Sequence, residues 1–346
     1  MEGTKMKKGN IAYSILELAL VPQGDTIKQT LNNSMEFAKE AERLNYKRMW
    51  FAEHHNSPYI GSNVPSLLIG YVAENTSTIR LGSGGVMLPN HSPLAIAEQF
   101  GTLAHLYPGR IDLGLGRAPG TDPETAQAIR SDFMRAAQSF PQEVAKIQNY
   151  FSEENQRSKV RAAIAEGTDV PVYILGSSTD SAHLAAEKGL PYAFASHFAS
   201  THLMDALKIY REEFQASEVQ EKPYTIAGIN VFVADTDKEA ERLFTTLIKM
   251  FIGVLTGMSQ PLQPPTALTA DLKAALDHPA VYQMLKYSFF GSKETVKTQV
   301  EEFLDNTEVD ELIVVTPTHS LTDRVKSISL FAEIMNEINA EVPVGK

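Results

Sequence analysis

The sequence predicts a single (β/α)8 barrel in the α/β class, with one long loop after strand 4 and another between strands 7 and 8. Three observations predict it. Eight short apolar runs alternate with stretches of helical spacing, no segment between them has a linker's composition, and 43% apolar against 21% charged residues is the mix of a chain able to bury a large core. A length of 346 residues alone suggests about two domains, but α/β barrels routinely exceed that expectation as one. An open doubly wound sheet rarely carries so many regular units.

Residues 11–16 form an apolar run bounded by polar residues, a first strand. Residues 26–44 then place Ile27, Leu31, Met35, Ala38 and Ala41 at helical spacing. Residues 48–52 give a second strand, and a helix over 66–74 follows Pro65, a residue suited to a helix start. Strands over 79–88 and 110–115 flank a helix over 93–106. A helix over 142–151, a strand over 170–175, a helix over 180–188, a strand over 192–195 and a helix over 203–214 continue the alternation. Residues 225–234 supply the seventh strand, 238–255 and 293–304 are helical, 312–315 form the eighth strand, and 324–338 close the chain as helix. The connections at 118–139 and roughly 257–292 exceed the usual few residues, which in a compact domain marks functional loops.

Charge and composition exclude several classes of function. Lys and Arg number 31 against 42 Asp and Glu, a net charge of −11, which disfavours a phosphate-tracking surface and hence nucleic acid. With no cysteine, disulfides, thiolate metal sites and cysteine nucleophiles disappear together. No apolar stretch is long enough to span a bilayer, and the basic start lacks the apolar core of a secretory signal. The expectation is a cytoplasmic protein whose residues 1–9 are disordered.

A barrel of this kind works at the C-terminal ends of its strands. Glu53, His54 and His55 follow the second strand, and an imidazole there can shuttle a proton near neutrality. Adjacent residues of an extended chain point opposite ways, so the pair is a poor metal site and no metal is expected. Gly82, Gly84 and Gly85 after the third strand mark a close backbone approach or a tight barrel corner. In "GLGRAPG" the glycines open a loop rather than a helix, which weakens a dinucleotide-fingerprint reading. Arg117 in the same motif is suited to a phosphate. Gly176, Ser177, Ser178 and Ser181 surround the start of the helix after the fifth strand, where an anion is favoured; plain N-capping by Ser178, Thr179 or Asp180 is the alternative. His197 follows the sixth strand, and Tyr13 and Leu16 close the first.

The run from "WFAEHHN" through "IRLGSGGVMLPNHSPLAIAEQFGTLAHLYPGRIDLGLGR", continued by "PVYILGSS", "AAEKGLP" and "YSFFGSKETV", resembles the bacterial luciferase-like, flavin-dependent monooxygenases over most of the chain. The resemblance implies a barrel binding reduced FMN without a covalent bond at its mouth. It implies chemistry with O2 through a C4a-peroxyflavin on a small organic substrate, and a separate flavin reductase. It makes His54 the catalytic residue near flavin and substrate. It makes Gly84–Gly85 a non-proline cis peptide beneath the flavin ring, Arg117 the phosphate arginine, and Ser177, Ser178 and Ser181 part of the cofactor site. Tyr13, Leu16, His55 and His197 are expected to line the substrate pocket. Gly116 stands where the luciferases have a reactive cysteine and Ser177 where they have a glutamate, so light emission is not carried over. F420-dependent hydride transfer is the alternative activity, and a non-catalytic flavin-binding protein the alternative class. Leu67, Leu68, Tyr71, Ile96, Phe100 and Leu103 give two helices more apolar surface than one barrel contact needs, and the resemblance makes that face the seam of a homodimer.

Overall fold

The computed structural model describes residues 10–340, so the expectation of disorder at residues 1–9 lies outside the described residues. All strand pairs are parallel. The strands are β1 (Ala12–Glu17), β2 (Arg48–Phe51), β3 (Arg80–Met87), β4 (Ile111–Gly116), β5 (Val172–Gly176), β6 (Tyr192–Phe194), β7 (Thr225–Val233), β8 (Ser288–Gly291) and β9 (Glu311–Val315). Hydrogen bonding runs β6-β5-β4-β3-β2-β1-β9-β7-β8, with β6 also on β7. The eight sequence-predicted strands therefore close a barrel, and β8 is an addition. It pairs with β7 over Asn230–Val233, beyond the Thr225–Ala227 stretch that β6 covers. The connection read as irregular contains β8 and the helices Ala270–Leu276 and Pro279–Leu285. The loop after β4 likewise contains the helices Pro123–Ile129 and Phe133–Gln138.

Residues alternate across each barrel strand, which separates two cores. Ile15, Met49, Phe51, Leu81 and Leu113 face outward and pack with Phe37, Ile69, Phe100 and Phe331 of the surrounding helices. Leu16, Trp50, Tyr173, Ile226, Ile313 and Val315 fill the barrel interior. A third cluster joins Phe232 to the helix Asp237–Thr256 and to Val281 and Leu285 of the insertion.

The interior changes character along the barrel axis. At the N-terminal end Arg48, 2% exposed, meets Asp112 at 2.7 Å and Glu311 at 2.9 Å. Asp112 also accepts from Trp50 Nε1 at 3.0 Å and Arg80 Nε at 2.9 Å. Glu311 accepts from Tyr224 at 2.6 Å and from Ser14. Interior carboxylates are tolerated here because each faces a guanidinium and several N–H or O–H donors.

Candidate active site at the barrel mouth

The opposite end of the barrel holds a cavity of about 650 Å³. The C-terminal ends of β1, β2, β4, β5 and β9 supply its floor, and the helix Asp237–Thr256 and the insertion supply its roof. Of the sequence-predicted residues, Leu16, His54, Gly84, Arg117, Ser177, Ser178, Ser181 and His197 line it.

Two expectations fail, the first on strand parity and the second on a side-chain hydrogen bond. Tyr13 points outward, buried against Tyr46 with ring centroids 4.8 Å apart and its hydroxyl donating to the Leu44 carbonyl at 3.2 Å. An odd shift from Leu16 puts a side chain on the other face of the strand. His55 turns away from the cavity to Glu53, Nε2 to Oε1 at 2.8 Å.

Glu53 was named in the sequence without a role, and it organises this side of the mouth. Its Oε1 faces Nε2 of both His55 and His91 at 2.8 Å and accepts from Asn90 Nδ2 at 3.2 Å; Oε2 accepts from the Met87 amide at 3.1 Å. Burial alone raises a carboxyl pKa, but the hydrogen bonds from His55 and His91 win and bring it to about 2. The His55 amide donates to the Gly120 carbonyl at 3.2 Å, and Asn90 Nδ2 to the Pro119 carbonyl at 2.9 Å. One carboxylate thus ties the loops after β2, β3 and β4. Sequence offered no signal for this, because His91 stands 38 positions from Glu53.

His54 lies over the cavity with its pKa lowered by burial, opposed by the Gly120 carbonyl and the Glu53 charge. A neutral imidazole keeps one ring nitrogen able to take a proton. His197 is 9% exposed. Burial, reinforced by His54, lowers its pKa to about 3, and its Nδ1 sits against Gly228, where a Cβ would be 2.5 Å away.

That neutral burial has a pH signature. Below pH 6.5 the unfolded chain protonates His197 while the folded one does not until about pH 3, so stability falls as pH drops through that window. The cost between pH 7 and pH 5 is about 2 kcal/mol. Urea denaturation is expected to show this decline in the native chain and a flatter profile in His197→Asn; identical profiles would exclude His197 as its source.

Across the cavity, the helix Thr179–Lys188 begins without a side-chain cap: Ser178 is extended and its hydroxyl bonds no first-turn amide. Plain capping is therefore not its role. Ser181 Oγ is engaged instead, donating to the Ser178 carbonyl at 2.8 Å and lying 2.9 Å from the Tyr192 hydroxyl. Gly176 permits that approach, since a Cβ there would lie 1.7 Å from Ser181 Oγ. Arg117 reaches the same helix start, its Nη2 3.1 Å from Asp180 Oδ2. A half-exposed guanidinium, uncapped amides and a free hydroxyl converge, a donor set that fits a phosphate.

Between these two sides lies the Gly84–Gly85 peptide, which is cis. The β3–β4 register slips there, between Ser83 and Val86. Gly84 faces the cavity, whereas Gly85 is packed against Gly114, whose carbonyl oxygen would lie 2.8 Å from an added Cβ. Only a residue without a side chain fits at Gly85, while a Cβ at Gly84 would lie 2.8 Å from Leu16 Cδ1 and displace that side chain.

The fold and the mouth define an α/β-barrel enzyme in which an anion niche, neutral imidazoles and an apolar chamber share one cavity. The family model for luciferase-like monooxygenases matches residues 13–311, and the chain belongs to that family. A luciferase-like monooxygenase of Escherichia coli (strain K12) is 43% identical over 333 residues, 96% of this chain and 99% of its own. The crystal structure of apo-MsnO8 has a TM-score of 0.86 at 32% identity, covering 94% of this chain and 98% of its own. Two more distant structures share the fold. The oxygenating constituent of 3,6-diketocamphane monooxygenase from Pseudomonas putida, solved with FMN, has TM-score 0.71 at 18% identity, over 97% of this chain and 100% of its own. An F420-dependent secondary alcohol dehydrogenase, solved with an F420–acetone adduct, has TM-score 0.65 at 14% identity, over 94% and 98%. Among the described residues, no helix is long and apolar enough to cross a membrane.

Proposed function

We propose that this chain is a single-domain cytoplasmic monooxygenase that uses reduced FMN, delivered by a separate flavin reductase, and O2 to oxygenate a small organic molecule. The observation that carries the reading is the phosphate-fitting set of Arg117, Ser178 and the uncapped helix start, opposite His54 in one cavity. Bound reduced FMN supplies the two electrons that let O2 deliver one oxygen atom to substrate. Arg117 and the first-turn amides of the Thr179–Lys188 helix would hold its phosphate, and Gly84, with no side chain, leaves the β3 backbone open to the cavity. His54 holds or moves a proton at the reacting end.

Titration tests this directly. Wild-type protein is expected to bind FMN more tightly than riboflavin, and Arg117→Ala to weaken FMN by about 30–150-fold while changing riboflavin little, because one charge-assisted bond is worth about 2–3 kcal/mol. Equal losses for both ligands would refute the niche. F420 binding in preference to FMN would move the reading to hydride transfer, and FMN binding with no turnover of any acceptor would move it to a flavin carrier.

We further propose a homodimer through the helices Pro65–Ala73 and Pro93–Leu106. Ile96, Phe100 and Leu103 are spent in the barrel core, but Leu67, Tyr71, Val64 and Leu106 remain exposed. Sedimentation at micromolar concentration is expected to show a two-chain species that Leu67→Glu dissociates; a wild-type monomer would rule the seam out.

A further inference from the structure

We infer that the substrate is an uncharged, apolar molecule held against the roof of the mouth cavity, with no carboxylate or ammonium group. The inference rests on the monooxygenase reading of the same cavity and specifies what shares it with the cofactor.

The roof is one stripe of a helix plus its insertion. Leu247, Met250, Phe251 and Val254 recur at three- and four-residue spacing on the helix Asp237–Thr256, so they share a face, and all four line the cavity. Leu262 and Met284 of the insertion join it, beside the uncharged Ser259 and Gln260. Leu262 is pinned over the mouth by two backbone hydrogen bonds, its amide to the Val21 carbonyl at 2.8 Å and its carbonyl from the Gln23 amide at 2.9 Å. The helix bearing Met284 is pinned by Ser200 Oγ, which donates to the Gln283 carbonyl at 2.6 Å. The apolar roof is thus fixed at both ends.

Charge in the cavity is already committed. Among the described residues, its lining includes Glu53 and Arg117 but no Asp and no Lys. Glu53 is saturated by its four donors, and Arg117 lies in the phosphate niche beside Asp180. The two histidines facing the cavity, His54 and His197, both have pKa values lowered by burial, so neither offers a cation at neutral pH. A substrate carboxylate under this roof would lose water and find no charged partner in exchange. The rim repeats the message, since Phe198 at 42% and Val254 at 53% exposure belong to both the cavity and the outer surface. These two side chains keep the edge of the mouth apolar. Met250 and Met284 give the roof adaptable, polarisable contacts, which suit a range of apolar shapes.

Calorimetric titration with matched probes, run on both the apoprotein and the FMN-loaded protein, tests this. The neutral probes are 2-decanone and 1-naphthol; their acid counterparts are decanoate and 1-naphthoate. At pH 7.5 the better neutral probe is expected to bind at least about 50-fold tighter than its acid counterpart. Met250→Lys is expected to cut that ratio at least about tenfold by giving the acid a partner, with FMN affinity within about threefold of wild type. Met284→Lys, on a separate element, provides the same reading if the first variant does not fold. Acids binding as well as the neutral probes, or no neutral probe binding, would overturn the inference. Neutral probes binding to a protein that takes no FMN would sink the cofactor reading and leave this one standing.

Discussion

Arg48→Leu is expected to cost about 3–5 kcal/mol of folding stability, the largest stability loss of any single substitution considered for this protein. The guanidinium is 2% exposed and lies 2.7 Å from Asp112 and 2.9 Å from Glu311. Without it both carboxylates stay inside the barrel, left with neutral donors and with Arg80 at 2.6 Å from Asp112 and Lys47 at 3.4 Å from Glu311. Arg48→Lys should recover part of the loss but not all, since one ammonium cannot span both carboxylates as the planar fork does. The contrast is the exposed pair of Lys39 and Glu36 at 3.1 Å, whose removal should change stability by no more than about 0.5 kcal/mol. Urea denaturation reads all three variants. A cost below about 1 kcal/mol for Arg48→Leu would mean that the interior carboxylates find other compensation.

His54→Ala is expected to lower kcat for oxygenation of any working acceptor by about 10²-fold or more, with the FMN dissociation constant within a few-fold. The separation follows from position, because His54 closes the second strand while the phosphate niche stands on the fourth and fifth. His55→Ala is the contrasting variant. Its ring is one of the groups holding Glu53, so its loss should lower the melting temperature and leave most of kcat. If His55→Ala is the damaging change and His54→Ala is silent, the roles are reversed. If neither matters, the catalytic reading of the motif fails.

The architecture was legible because each barrel strand is a short apolar run with its own helix behind it, a rhythm that survives without tertiary information. β8 was not, since "SFFG" is four residues long and takes its strand form only from pairing with the upper half of β7. The niche was legible for a local reason: Arg117 and Ser178 each sit just past a strand end. Inward or outward pointing was not, because in "AYSILE" apolar side chains occupy both faces; this is why Leu16 lines the cavity and Tyr13 does not. The charged barrel base escaped notice because Arg48, Asp112 and Glu311 each stand at or near the start of a strand, where a charged residue in isolation suggests solvent. The Glu53 knot joins residues from three loops and becomes visible only when those loops are adjacent.

The place where β8 joins the sheet carries an evolutionary consequence. β6 ends after three residues, and the upper half of β7 is handed to a strand that belongs to the insertion. Closure of the barrel needs only the lower half, so selection can lengthen, shorten or rebuild the insertion without breaking a barrel hydrogen bond or moving Arg117, His54 or the helix start at Ser178. With the roles proposed above, the barrel end carries the chemistry and most of the roof, while the insertion carries only Leu262 and Met284 of its apolar surface. A lineage with this design can vary that part of the substrate's seat while the barrel mouth stays unchanged.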